Sequence, residues 1–425
     1  MRNLILINTL LPPLYSLILS SFLTMWAESP LTTHVPHLFA TFVTCFIELF
    51  LSFKLADDNL LPLLVSSIIF NILLIRYVFL KFVRGPPPTS TSTSTSTSTS
   101  TSTSTSTSTS TSTSTSTSTS TSTPPRVFFV TGANCGCGLE TARHLLHSSP
   151  SNIVILGCRS ESNANKAIAE ITRISPSSKP RAIFIQIDLS CNKSIRKAVK
   201  SFLSLNLPLH VLINNAGLMM SSRVETPPPQ KTELVMQVNH LGHFLLTNLL
   251  LPKLEANPPN SDVRVVTVSS STHHLTKALD LADLNCEKKP YTLFGQYEQS
   301  KLANVMFSLE LSRRQLRKSQ QFGGRTMVKT YCVHPGMVRT DVVRNMPIFL
   351  RFGNSIAAPV MLLLQKSPKA GAFTTIYCAT SANVNSHSGF YYVNSTKQQA
   401  NPVSSDADKC RALWKLSEEW VGLFN

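Results

Sequence analysis

Hydrophobic positions follow two regimes along this chain. Up to residue 85 they run together. Residues 4–26 hold 23 positions without a charge, enough to span a bilayer, with Pro12-Pro13 set to kink the helix. A second apolar run, 35–53, contains only Glu48, and a third, 60–83, carries Asn71 and Arg76. Two or three transmembrane helices are expected. From Arg126 onward, short β-branched runs alternate with helical ones. Strands are predicted at 127–131, 153–157, 183–187, 211–214, 263–268, 328–333 and 390–393. Helices are predicted at 139–147, 163–174, 194–204, 233–254 and 295–317. Continuous apolar strands separated by helices imply a parallel sheet covered on both faces, a doubly wound α/β domain. Such sheets bind ligands beyond the carboxyl ends of their strands.

Between the two regimes lies Thr89–Thr123, a pure Thr-Ser alternation of 35 residues flanked by Pro86-Pro87-Pro88 and Pro124-Pro125. With no apolar residue to offset its ordering entropy, it is expected to be a disordered tether whose coil dimension is roughly 30–35 Å. Three parts follow: a membrane anchor over 1–85, a linker over 86–125 and a catalytic domain over 126–425. Lys81 and Arg84 follow the third apolar run, whereas the loop between the first two has no Lys or Arg. That local charge places the catalytic domain in the cytosol. A strict count of three spans from a cytosolic Arg2 gives the opposite side, and the local charge is the stronger argument.

The formal net charge of +17 does not indicate nucleic-acid binding, because the basic residues are scattered and no nucleic-acid-binding motif is present. The densest run, Arg313-Arg314-Gln315-Leu316-Arg317-Lys318, falls at the end of a predicted helix, where cations complement the dipole. Attraction to anionic lipid is the second reading. Nine cysteines with no C-x-x-C pair are neither a disulfide framework nor a metal site, which suits a reducing compartment.

Candidate chemistry collects at the carboxyl ends of the predicted strands. The first strand ends in Thr131-Gly132-Ala133-Asn134-Cys135-Gly136-Cys137-Gly138 and runs directly into a helix, as a pyrophosphate-binding turn requires. The second ends in Cys158-Arg159 where an acidic residue would hold an NAD ribose. Arg159 there favours a 2′-phosphate, hence NADP(H) over NAD(H). Asp188 ends the third strand, where it could meet adenine or cap the following helix. The fourth runs into Asn214-Asn215-Ala216-Gly217, the fifth delivers Ser269 and Ser270, and the sixth delivers His334-Pro335-Gly336-Met337-Val338-Arg339-Thr340. Beside these ends starts the helix bearing Tyr297-Glu298-Gln299-Ser300-Lys301. A tyrosine and a lysine four apart share a helix face, and the cation is expected to pull the phenol below its usual value of about 10. Such a phenol serves as a general acid/base.

Together TGANCGCG, NNAG, the serine after the fifth strand, YEQSK and HPGMVRT resemble the short-chain dehydrogenase/reductase family over residues 126–425. The wide gap between Ser270 and Tyr297 resembles its retinol-dehydrogenase-like branch. LHVLINNAGLMM, LGHFLLTNLLL and RVVTVSSSTH are similar to the polyprenol-dehydrogenase-like members of that branch. The resemblance implies a Rossmann-type fold and hydride transfer between NADP(H) and a lipophilic alcohol, aldehyde or ketone of polyprenol, retinoid or steroid type. It implies Tyr297 as acid/base, Lys301 as the residue lowering its pKa and holding the nicotinamide ribose, and Ser270 as hydrogen-bonding the substrate oxygen. Asn239 is implied as supporting a water-linked proton relay, a bend in its helix being the other reading. For the cofactor it implies Thr131, Gly132, Asn134, Gly136, Gly138, Arg159, Asp188, Asn215, Ala216, Gly217, Pro335, Gly336 and Thr340, together with Tyr297 and Lys301. Residues 346–364 are where the family places a substrate lid. Cys135 and Cys137 depart from the usual small polar and apolar residues and are expected to narrow the pocket. The other class to weigh is an NADP(H)-sensing adaptor without turnover, whose catalytic set would be broken; here it is whole. The expected setting is the endoplasmic reticulum membrane, with a lipophilic substrate and the membrane as partners, no nucleic acid, and a homo-oligomer allowed. Asn192 and Asn394 sit in N-x-S/T sequons, so a lumenal enzyme is the alternative topology.

Overall fold

In the computed structural model, the strands are apolar on both sides because helices cover both faces of one sheet. The structure describes residues 125–173, 176–322, 327–338 and 365–423. The apolar runs of 1–85, the Thr-Ser tract, Thr340 and the stretch 346–364 lie outside the described residues. The strands are β1 (Val127–Thr131), β2 (Ile153–Cys158), β3 (Ala182–Gln186), β4 (Val211–Asn214), β5 (Arg264–Val268), β6 (Lys329–His334), β7 (Phe390–Val393) and β8 (Thr396–Gln398). Their order in the sheet is β3-β2-β1-β4-β5-β6-β7-β8, with β7 and β8 antiparallel and every other pair parallel. The order reverses between β1 and β4, the switch point that opens a crevice at the carboxyl ends.

The helices are α1 (Gly136–His147), α2 (Glu161–Thr172), α3 (Asn192–Leu203), α4 (Leu234–Glu255), α5 (Leu293–Phe322), α6 (Pro368–Thr380) and α7 (Ala407–Val421). Adjacent side chains on a strand point to opposite faces, and Phe128 and Phe129 show the result. Phe129 joins Phe202, Phe244, Leu302, Phe307 and Trp414 under α3, α4, α5 and α7. Phe128 joins Leu145, Leu156, Ile171 and Tyr331 under α1, α2 and α6. By length and composition α4 could cross a membrane, but 72% of its apolar window is buried inside the domain, so it is a core helix.

The basic run of α5 is internal, not terminal, since the helix continues to Phe322. Its charges serve the fold. The buried Glu310 carboxylate accepts from Arg314 at 3.0 Å and Arg317 at 3.1 Å, and Lys318 pairs with Glu255 at 2.5 Å. Arg314 also stacks 4.2 Å from the Trp414 ring. The reading of this run as a dipole-complementing helix end is therefore corrected: internal carboxylates and a ring hold it.

Candidate active site

The crevice is built around a clasp between the ends of β1 and β4. The Thr131 hydroxyl accepts from the amides of Asn215 at 2.9 Å and Ala216 at 3.0 Å, while Asn215 Nδ2 donates to the Thr131 carbonyl at 2.8 Å. Thr131 Oγ1 in turn lies 2.9 Å from Nε2 of buried His243, whose Nδ1 lies 3.1 Å from the Asn239 carbonyl. A carbonyl can only accept, so Nδ1 carries the proton and Nε2 accepts from the threonine. Burial keeps this ring neutral, its pKa lowered to about 3.

The glycine-rich turn threads this clasp at contact distance. Gly132 has φ +64° and Gly136 φ +57°, a region that favours glycine. A Cβ on Gly138 would lie 2.2 Å from the Gly132 carbonyl and 2.5 Å from Asn215 Nδ2. The turn then opens α1, whose first residue is Gly136. These are the requirements of a dinucleotide cradle: backbone that approaches closely, and free amides at a helix start. Cys135 is exposed. Cys137 does not narrow this cradle as expected; its sulfur packs against α6, 2.8 Å from where a Gly371 Cβ would stand. Burial raises its thiol to about 12, which keeps it protonated.

Arg159 is exposed just past β2, and its guanidinium makes no ion pair among the described residues. Asp188 does not cap α3. Its carboxylate accepts from Ser190 N at 2.9 Å and Ser190 Oγ at 2.6 Å, and its own amide donates to Ser194 Oγ at 3.0 Å. Gly336, at φ +88°, leaves room for buried Lys366, whose Cδ and Cε lie 2.9 Å from where a Cβ would be. Lys366 reaches on to Asn394 Oδ1 at 2.5 Å.

The chemical centre lies between β5 and α5. Tyr297 and Lys301 share one face of α5, with Lys301 Nζ 5.4 Å from the phenol ring centroid. Buried Lys301 donates to the Val268 carbonyl at the end of β5, at 3.2 Å. The two serines divide the work. Ser269 spends its hydroxyl on the Lys301 carbonyl at 2.8 Å, whereas Ser270 accepts from Thr272 N at 3.3 Å and stands beside the Tyr297 phenol, whose pKa it pulls down. Of the two, Ser270 is the serine whose side chain acts on the Tyr297 phenol.

The phenol does not behave as the helix spacing predicts. Burial pushes Tyr297 up to about 12, with the Ser270 hydrogen bond pulling the other way. Burial lowers Lys301 to about 8. The ammonium is aimed at a main-chain carbonyl and the ring, so desolvation outweighs any Coulombic help to the phenolate.

Asn239 lies in a π-helical turn, Gln237–Leu241, within α4. Its amide nitrogen donates to the Leu218 carbonyl and to Ser300 Oγ, both at 3.0 Å, and its Oδ1 accepts from Leu218 N at 2.8 Å. Ser300 passes the link on to the Tyr297 carbonyl at 2.7 Å. Asn239 Oδ1 and Lys301 Nζ each lie 3.3 Å from where a Gly217 Cβ would stand, so that glycine keeps the two side chains adjacent. Asn239 therefore sits in a π-turn of its helix and braces the Tyr297 turn through Ser300. Sequence reasoning passed over Ser300, His243 and Lys366. Ser300 was legible as the residue before the lysine on the same helix; the other two carry no local signal.

A family model described as short chain dehydrogenase matches residues 126–348. The chain belongs to the short-chain dehydrogenase family, in its retinol-dehydrogenase-like branch, and is an oxidoreductase acting on CH–OH groups with a nicotinamide dinucleotide. Retinol dehydrogenase 12 of Homo sapiens is 37% identical over 300 residues, covering 71% of this chain and 87% of the relative. Polyprenol dehydrogenase of Homo sapiens is 35% identical over 307 residues, with the same coverages of 71% and 87%. A crystal structure of an uncharacterised protein from Mycobacterium paratuberculosis shares 28% identity at a TM-score of 0.53, covering 70% of this chain and 93% of that one.

Proposed function

We propose that this chain is a membrane-anchored, NADP(H)-dependent reductase and dehydrogenase of lipophilic alcohols and carbonyls, with its catalytic domain in the cytosol. The convergence of Ser270, Tyr297 and Lys301 between β5 and α5 is the observation that carries it. When bound, the nicotinamide supplies or takes the hydride. Tyr297, protonated at neutral pH, donates its proton to the substrate oxygen in reduction, and Ser270 holds that oxygen by hydrogen bond. Lys301 and Gly217 would hold the nicotinamide ribose, and the exposed Arg159 guanidinium would pair with a 2′-phosphate. Asn239 holds the Tyr297 turn in place and stands beside Lys301, where a relay would pass.

A lipophilic substrate is supported by exposed apolar residues close in sequence to the site residues. Leu275, Phe294 and Met337 are exposed large hydrophobics, and they sit within five residues of Ser270, Tyr297 and Gly336 respectively. The relatives act, by their names, on retinol and polyprenol, and their similar identities favour neither substrate. The full-length protein in detergent, assayed with NADPH against retinal, a polyprenal and a steroid ketone, tests the reading. Tyr297→Phe is expected to lose turnover while binding NADPH like the parent; substantial activity in that variant would sink the mechanism. NADPH binding with no turnover on any member would instead identify a nucleotide-sensing adaptor.

The cytosolic placement is supported by the use the fold makes of both sequons. Asn192 Oδ1 accepts from Gln237 at 3.1 Å, and Asn394, at φ +51°, accepts from buried Lys366. Treatment of the protein from eukaryotic cells with an N-glycosidase is expected to leave its mass unchanged. A mass shift would put the domain in the lumen.

A further inference from the structure

Ser270 belongs to no regular element: β5 ends at Val268, and a short 3-10 turn begins at Ser271. The 3-10 turn holds its carbonyl by a single main-chain bond, from His273 N at 3.2 Å, and side chains supply the rest. Two imidazoles grip the single peptide group joining Ser270 to Ser271. On its oxygen side, His273 Nδ1 lies 2.5 Å from the Ser270 carbonyl. That nitrogen must carry the proton, since a carbonyl only accepts. Nε2 of the same ring is then an acceptor, and it accepts from the Asn401 amide at 3.2 Å. On the nitrogen side, the Ser271 amide donates to His334 Nδ1 at 3.3 Å. His334 is therefore the opposite tautomer, with its proton on Nε2.

Both rings are seated by other parts of the fold. The Asn401 side chain donates to the His273 and Thr276 carbonyls at 2.8 and 2.7 Å, and Tyr391 packs edge-on to His273 with centroids 4.7 Å apart. His334 ends β6 in register with the approach to the site, for Ser269 N donates to the Val333 carbonyl at 2.8 Å. Burial, with Lys366, His273, His274 and Lys301 around it, lowers the His334 pKa to about 3, so its acceptor nitrogen is kept at neutral pH.

We infer that His334 and His273 are positioning residues, a pair of neutral imidazoles in opposite tautomers that fix the Ser270–Ser271 peptide and so aim the Ser270 hydroxyl at Tyr297. The inference rests on the dehydrogenase reading for its kinetic consequence but not for its geometry. Phenylalanine at 334 keeps the ring and removes the acceptor; asparagine restores an acceptor oxygen near the Nδ1 position. With full-length protein in detergent, NADPH and retinal, His334→Phe is expected to lower kcat about 10- to 100-fold while leaving the KM for NADPH within about twofold. Hydrogen–deuterium exchange of the peptide spanning 268–275 should quicken in the same variant. His334→Asn should recover kcat to within a few-fold of the parent and restore slow exchange, as loss of a mere packing contact would not. A His334→Phe protein matching the parent in both kcat and exchange, or a His334→Asn protein as impaired as His334→Phe, overturns the clamp. Turnover in Tyr297→Phe, or none in the parent, counts against the dehydrogenase reading instead, and the exchange result then decides the clamp alone.

Discussion

Burial moves the phenol of Tyr297 and the ammonium of Lys301 in opposite directions, and both moves disfavour charge. For Lys301 the consequence reaches stability. Its folded pKa of about 8 lies below the unfolded value of about 10.5, so the charged form opposes folding at neutral pH. That opposition is complete below pH 8 and is relieved as pH rises toward 10.5. Lys301→Met is therefore expected to abolish turnover and yet raise the unfolding free energy at pH 7 by about 1–3 kcal/mol. Denaturant titration of parent and variant checks this, and a variant less stable than the parent would refute it. Active-site strain of this kind is a recurring exchange of stability for function.

Among elements, β1 and β4 carry the most demand, because their ends must hold the cofactor turn and the start of the Asn239 brace. Thr131 is the shared pin. Thr131→Val keeps its shape but strands the amides of Asn215 and Ala216 and the Nε2 of His243. A destabilisation of about 2–4 kcal/mol is expected, read from the urea midpoint, together with weaker NADPH binding. A change below about 0.5 kcal/mol would mean that water replaces the hydroxyl. Strand and helix placement was largely legible at this scale. The seven expected strands all form, within a residue or so at each end, because period and β-branching mark them. β8 carries no such mark, being three polar residues at a sheet edge with no apolar alternation. Helices α6 and α7 were also unassigned, though Ser367 before Pro368 and Asp406 before Ala407 cap them by side-chain bonds a sequence can display.

Taken as a whole, the described domain holds several histidines as neutral rings. His240 and His273 are lowered to about 4, and His243 and His334 to about 3, in each case chiefly by burial. Their folded values lie below the unfolded value of about 6.5, so their contribution to stability is full above that pH and is lost as pH falls toward 3–4. Unfolding midpoints in urea should fall between pH 7.5 and pH 5. His243→Gln should flatten that slope; an equal slope in parent and variant would count against the argument.

The sequence by itself determined the α/β class and singled out Ser270, Tyr297 and Lys301 as candidates at the carboxyl ends of its strands. Hydrophobic periodicity and glycine placement are local signals, and a strand that ends in chemistry says so in its own residues. Only the tertiary structure decided the electrostatics and the division of labour. The Tyr297 phenol is raised, not lowered, because desolvation depends on everything packed around it and not on the residue one helical turn away. Ser269 and Ser270 look alike in a row, and only the packing around the end of β5 sends one to the Lys301 carbonyl and sets the other beside the phenol. Arg264 is fully buried, and beyond its neighbour Asp262 it is held by carbonyls more than a hundred residues away. What the chain does locally is written along it; what each charge costs is set by partners that arrive only on folding.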